Sequence, residues 1–119
     1  MSGIAAYREN LVTTQPKGRL VVLLYEGAIK FLRQAVAEMQ RQDDARKGQF
    51  ILRATEIIDE LDCSLDMESG GEIAQSLRSL YAFMRRHLCE ANTRKDPQRI
   101  EDVIRLLEDL LEGWRAVAG

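Results

Sequence analysis

The sequence is poor in the residues that metal and redox sites need. Its 119 residues include one histidine, His87, and two cysteines, Cys63 and Cys89. A dinuclear metal bundle needs Glu-x-x-His pairs on facing helices, and one histidine cannot supply two of them. The cysteines are too far apart in sequence for a CxxC zinc motif, and both fall in helical patterns, where we expect free thiols. These shortages argue against a metal or redox enzyme, which remains a weaker alternative.

Strong net charge and long apolar runs are also missing. The formal net charge is -2, so the chain lacks the excess of basic residues that binding to a nucleic-acid backbone requires. The longest purely apolar run, Leu20 to Leu24, is far shorter than the roughly 20 residues that span a bilayer. The N-terminus does not resemble a secretion signal, so we expect a cytoplasmic protein without membrane insertion or nucleic-acid binding. No phosphate-binding glycine loop is present, and we predict neither a cofactor nor catalysis.

Proline is scarce, and apolar residues recur every three or four positions in four segments. The breaks fall at Asp43-Asp44, at Met67–Gly71 and at Asp96-Pro97, residues that cap or end helices. The sequence therefore predicts an all-α protein, an antiparallel up-down four-helix bundle. We expect one domain over residues 16–119, preceded by a short lid segment at 1–15.

The first predicted helix carries more apolar surface than one face of a bundle helix needs. One stripe contains Leu24, Phe31 and Ala35, and a second lies about 110° further round the axis. Together they cover roughly 220°, where a bundle helix needs little more than 100°. The second stripe consists of Val21, Tyr25, Ile29, Leu32, Val36 and Met39.

The second stripe therefore requires a cover, and three are possible. The N-terminal segment could fold back over it with Ile4, Tyr7 and Leu11, or a homodimer could bury it. Alternatively, an amphipathic segment of another protein could dock there with its apolar face in the groove.

An ordered series of motifs resembles the flagellin-specific export chaperone family, FliS. The series begins with Ala6-Tyr7, Asn10, Thr14–Pro16 and Leu24–Ala28, and continues with Gly70–Ala74. Its later members are Leu77, Leu80-Tyr81, Met84, Arg86, Ala91-Asn92, Asp96, Glu101–Val103, Leu106-Leu107 and Trp114. His87 and Cys89 depart from the residues that the family often has.

The resemblance implies a four-helix bundle that binds the disordered C-terminal segment of flagellin in the cytoplasm. It also implies that the chaperone prevents premature polymerisation and delivers flagellin to the flagellar type III export apparatus. A regulator that binds another flagellar protein in the same groove is a further alternative. Helix geometry, together with the opening motif for Asn10, places the partner-binding or lid residues at Tyr7, Asn10, Leu11, Val21, Tyr25, Ile29, Leu32 and Val36.

Overall fold

The computed structural model describes residues 17–118, which form four α-helices. They are α1 (Lys17–Gln40), α2 (Asp44–Cys63), α3 (Gly71–Arg94) and α4 (Pro97–Ala118). The predicted lid segment, with Tyr7, Asn10 and Leu11, lies outside the described residues. The all-α four-helix bundle predicted from the sequence is confirmed.

The chain reverses direction at the three predicted breaks. Asp43 caps α2, because its side chain accepts a hydrogen bond from the backbone N–H of Arg46 at 3.1 Å. Asp96 accepts one from the N–H of Gln98 at 3.0 Å, and Pro97 is the first residue of α4. Short capped turns of this kind keep consecutive helices antiparallel.

The turn between α2 and α3 requires glycine for two different reasons. A Cβ on Gly70 would lie 2.6 Å from the carbonyl oxygen of Asp66, which is too close for any other residue. Gly71 has a positive φ of 54°, a conformation that costs a side-chain-bearing residue free energy. The pair therefore determines how α3 starts, immediately after the 64–70 connection.

The helices pack in a ring in which α1 contacts α2 and α4, and α3 closes the opposite side. Every helix contributes fully buried side chains to one core. The largest of these are Tyr25, Tyr81, Leu32, Ile58, Leu61, Met84, Leu88, Ile100, Leu107 and Val103.

A buried lysine links α2 to α3. Lys47 is 3% exposed, and its ammonium group donates to the backbone carbonyl of Asn92 at 3.1 Å. The same group lies 3.5 Å from the carboxylate of Asp44. These bonds tie the start of α2 to the end of α3, at the end of the bundle remote from the cavity described next.

Candidate partner-binding site

A largely apolar cavity of about 400 Å³, the end cavity, opens where α1 and α3 begin and where α2 and α4 end. All four helices contribute to its wall, so folding of the bundle itself creates it. Its lining residues are Gly18, Val21, Leu61, Ser64, Leu65, Asp66, Gly70, Ile73, Ala74, Leu77, Tyr81, Trp114 and Val117. A concave apolar surface with few polar groups suits apolar side chains from a partner.

Tyr81, which forms the base of this cavity, is paired with Tyr25 of the core. The hydroxyls of Tyr25 and Tyr81 form a buried hydrogen bond of 2.5 Å across the bundle. The ring of Tyr25 stacks on that of Trp114, with 6.4 Å between the ring centroids. Paired hydroxyls satisfy each other's hydrogen-bonding capacity, so the base tolerates burial and apolar contact.

Burial changes the acid–base behaviour of both tyrosines. Desolvation raises the pKa of Tyr81, and the hydrogen bond between its hydroxyl and that of Tyr25 raises this pKa further. Desolvation also raises the pKa of Tyr25, although hydrogen bonds with Tyr81 and Trp114 oppose this rise. Both hydroxyls are therefore neutral at physiological pH, and the base of the cavity carries no charge.

Two aliphatic side chains stand exposed at the rim of the end cavity. Ile73 of α3 is 73% exposed and Val117 of α4 is 75% exposed. Ile73 falls at the apolar spacing that predicts a core residue of α3, and this prediction is wrong. Ile73 shares the face of buried Leu77, but it lies in the first turn of α3, beyond the end of the packed core.

The structure separates the predicted binding residues of α1. Val21 is half-buried and lines the end cavity. Tyr25, Ile29 and Leu32 are 0%, 5% and 0% exposed, respectively, and belong to the core. Val36 is partly buried against that core. The expectation that the other helices leave the second stripe uncovered is therefore wrong for Tyr25, Ile29 and Leu32. That the predicted α1 residues contact a partner stays a prediction.

The first stripe of α1 is covered by α2. Phe31 stacks on Phe50, with 6.3 Å between the ring centroids. A Cβ on Gly27 would lie 3.3 Å from the Cδ1 atom of Ile57, so the two backbones approach closely there.

The second stripe of α1 is covered by α4. The ring of Tyr25 stacks on Trp114, and the guanidinium groups of Arg33 and Arg115 bind carboxylates across the α1–α4 boundary. Two flanking helices thus occupy the wide apolar arc that the sequence leaves unexplained.

A second cavity, of about 760 Å³, lies between α1 and α4. Ion pairs cross it from Arg33 to Glu108 and from Arg115 to Glu26. Ile29 contributes to its wall, but the side chains around it are largely charged or amide groups. Because charged walls cost free energy when an apolar surface covers them, the end cavity is the better candidate for an apolar segment.

Several end-cavity residues fall at positions where the sequence pattern predicts the core or, at Gly70, the turn that ends a helix. Leu61, Leu65, Ala74 and Leu77 all follow the core periodicity, and periodicity does not reveal where along a helix the core stops. The adjacent glycines at 70 and 71 are the sequence feature that indicates a helix end at this place. A helix end beside such a turn is where apolar residues lose their neighbours.

Residues 17–118 contain neither a membrane-spanning helix nor a cluster of metal-ligating side chains. Within that range, none of the helices combines the length and the hydropathy that crossing a membrane requires. The same residues contain no cluster of histidine, cysteine and carboxylate groups that could hold a metal ion.

The sequence was compared with known proteins. The family model described as "Flagellar protein FliS" matches residues 1–119, which is the whole chain. The chain belongs to the FliS family. FliS relatives of very different bacteria cover most of it, so the family assignment does not rest on one local motif.

Three of these relatives show the range. A flagellar secretion chaperone FliS of Salmonella typhimurium is 38% identical over 122 residues, covering 98% of this chain and 90% of the relative. A flagellar secretion chaperone FliSB of Pseudomonas aeruginosa is 39% identical over 100 residues, covering 84% and 79%. A flagellar secretion chaperone FliS of Bacillus subtilis is 32% identical over 110 residues, covering 92% and 81%.

Some of the residues that carry the FliS resemblance line the end cavity. Six of the residues singled out from the motifs line it, although they come from three separate stretches of sequence. They are Gly70, Ile73, Ala74, Leu77, Tyr81 and Trp114. The end cavity is thus built in part from motif positions.

Proposed function

We propose that this chain is a flagellar secretion chaperone that binds the disordered C-terminal segment of flagellin in the cytoplasm. In this role it prevents premature polymerisation of flagellin and delivers it to the flagellar type III export apparatus. The observation that carries the proposal is the end cavity, built from FliS motif residues and bordered by exposed Ile73 and Val117. The names of the relatives support the same role.

The geometry suits an extended interface. A segment that folds on binding loses conformational entropy, so it must bury a large area to bind stably. One apolar side chain of the flagellin segment enters the cavity, and its neighbours cover Ile73 and Val117. The covered apolar face is then withheld from other flagellin molecules, which blocks their assembly by competition.

Binding by this surface leaves release to the export apparatus. The sequence has no phosphate-binding glycine loop that would couple release to nucleotide hydrolysis. A shallow rim with a modest cavity lets the segment detach stepwise, which a deep enclosed pocket would hinder.

Substitution of Ile73 tests the site. Because Ile73 is largely exposed, Ile73→Asp leaves the core intact and places a charge at the rim of the cavity. We expect the Kd for a synthetic flagellin C-terminal segment, measured by titration calorimetry, to rise at least about tenfold, the factor that corresponds to about 1.4 kcal/mol.

Leu52→Asp is the matched control. Leu52 is another exposed helical aliphatic, 60% exposed, but it lies on the outer face of α2 and does not line the cavity. We expect its Kd to stay within about twofold of the wild-type value, a free-energy change of less than about 0.5 kcal/mol. Equal affinity in the two variants, with wild-type helicity, would remove the end cavity from the binding site. Absence of binding by the wild-type chain would refute the proposed function.

The buried positions of α1 do not offer a comparable test. Aspartate at Tyr25 or Leu32 would place a charge inside the core, where it has no partner. Such variants are expected to unfold, so their loss of binding would say nothing about contact with flagellin.

A further inference from the structure

The charges around the end cavity are of one sign over a long stretch. Between Arg53 and Arg78 there is no lysine or arginine, whereas residues 54–77 include seven carboxylates. This stretch forms the second half of α2, the 64–70 connection and the first turns of α3. It therefore includes the cavity-lining residues from Leu61 to Leu77.

Some of these carboxylates are already engaged. Asp59 pairs with Arg85 at 3.3 Å, and Asp62 pairs with Arg78 at 3.1 Å. Asp66, which lines the cavity, accepts the backbone N–H groups of residues 68 and 69 at 3.1 and 3.0 Å. The charges of Asp59 and Asp62 are offset by these arginines, and the carboxylate of Asp66 organises the connection at the cavity wall.

Glu68 and Glu72 are exposed on either side of Gly70-Gly71, and neither forms an ion pair with another described residue. Glu72 lies next to Ile73 in the first turn of α3, and Glu68 lies in the connection just before this helix. Exposed Ile73 thus lies close in sequence to two carboxylates that have no counterion among the described side chains.

The basic side chains that the structure describes near the cavity do not neutralise these two carboxylates. Arg78 is committed to Asp62, and Arg115 is bound to Glu26 at 2.7 Å. Arg19 lies about 160° from Val21 and about 100° from Gly18 around the axis of α1, and it does not line the cavity.

We propose that the end cavity selects an amphipathic helix whose apolar face is flanked by lysine or arginine, an inference that rests on the proposed function. Apolar side chains of this segment enter the cavity and cover Ile73, while its cationic groups approach Glu68 and Glu72. Charge complementarity of this kind sets the orientation of the segment and raises its rate of association. A segment of the same apolar pattern with acidic flanks is rejected by repulsion.

The test uses the full chain and two designed peptides of about 18 residues, a length of roughly 27 Å when helical. Both carry leucine at helical spacing, and the remaining positions are lysine in one peptide and glutamate in the other. Each exposed ion pair contributes a factor of about two to three in affinity, so we expect the lysine peptide to bind at least about tenfold tighter at low salt. The preference should shrink strongly at about 1 M salt, where the Debye length is about 3 Å.

A pair of variants with equal change in net charge locates the effect. Glu68→Gln combined with Glu72→Gln removes two negative charges at the cavity, and we expect the preference for the lysine peptide to fall to about threefold or less. Glu101→Lys changes the net charge by the same amount on α4, in a residue that does not line the cavity, and should keep the wild-type preference.

Three results would overturn the inference. They are equal affinity for the two peptides, no binding of either, and a preference that the Glu101 variant changes as much as the double variant does. A loss of preference accompanied by a change in molecular mass on light scattering would assign the surface to a second copy of the chain and would also overturn it. If the flagellin segment binds while peptide charge has no effect, the inference fails and the proposed function stands.

Discussion

The hydroxyl pair of Tyr25 and Tyr81 links α1 and α3 across the bundle, where the two helices have no close backbone approach. Each hydroxyl is buried, so each depends on the other to satisfy its hydrogen-bonding capacity. Removing one partner leaves the other buried without its bond, which costs more than the bond itself contributes. The pair is therefore a unit, and its members should not behave independently on substitution.

We expect Tyr25→Phe and Tyr81→Phe each to lower the free energy of unfolding by about 1–3 kcal/mol. The double variant should lose clearly less than the sum, because it leaves no unsatisfied hydroxyl and keeps both rings in place. Urea denaturation of the four proteins gives the coupling free energy. Simple additivity would show that the hydroxyls do not interact in solution.

At the scale of elements, the position of α1 explains its wide apolar arc. The flanking helices α2 and α4 cover opposite sides of it, as the contacts of Gly27 and Tyr25 show. Sequence periodicity gave the four helices and their breaks because capping residues and glycine act locally. It could not reveal which neighbours lie on each side of α1, because helix order in space depends on contacts between residues distant in sequence.

The candidate site was less accessible from sequence for the same reason. Val21 was selected and does line the end cavity, whereas Ile73 was assigned to the core and is exposed. Both have the same periodic pattern of neighbours. Their difference arises from how far the helices extend past the last packed layer, which is a property of the assembled bundle.

Two glycines give a prediction at this scale. Gly113 lies inside α4, and a Cβ there would meet nothing within 4 Å. Gly113→Ala should stabilise the protein by about 0.5–1 kcal/mol, because alanine restricts the unfolded chain and favours helix. The measurement is the shift in thermal or urea midpoint.

Gly70→Ala is the opposing case, since its Cβ would clash with the backbone oxygen of Asp66. We expect it to destabilise the protein by more than Gly113→Ala stabilises it. If both variants shifted the midpoint in the same direction, local backbone geometry would not govern these positions.

For the whole molecule, the buried tyrosines predict how stability changes at high pH. The pKa of Tyr25 and of Tyr81 is raised above the ordinary value of 10.0 in the folded state. Above pH 10 the unfolded tyrosines lose their protons while the folded ones keep them, so the free energy of unfolding is at its full value below pH 10 and falls as pH rises further. The slope contributed by each tyrosine is at most about 1.4 kcal/mol per pH unit.

Urea denaturation at several pH values between about 9 and 11 measures this fall. The variant in which both residues are replaced by phenylalanine retains the other titrating groups and should show a shallower decline. An identical decline in the variant would mean that other groups cause the alkaline loss of stability.

The contact between α1 and α4 also governs when the protein can fold during its synthesis. Residues 41–96 separate these two helices, so α1 leaves the ribosome long before α4 exists. Until then the flank of α1 that contains Tyr25 and Ile29 lacks its cover by α4, so the nascent chain exposes apolar surface there. A fragment that ended before α4 would leave this apolar surface exposed, so the bundle completes its core only once α4 has been synthesised.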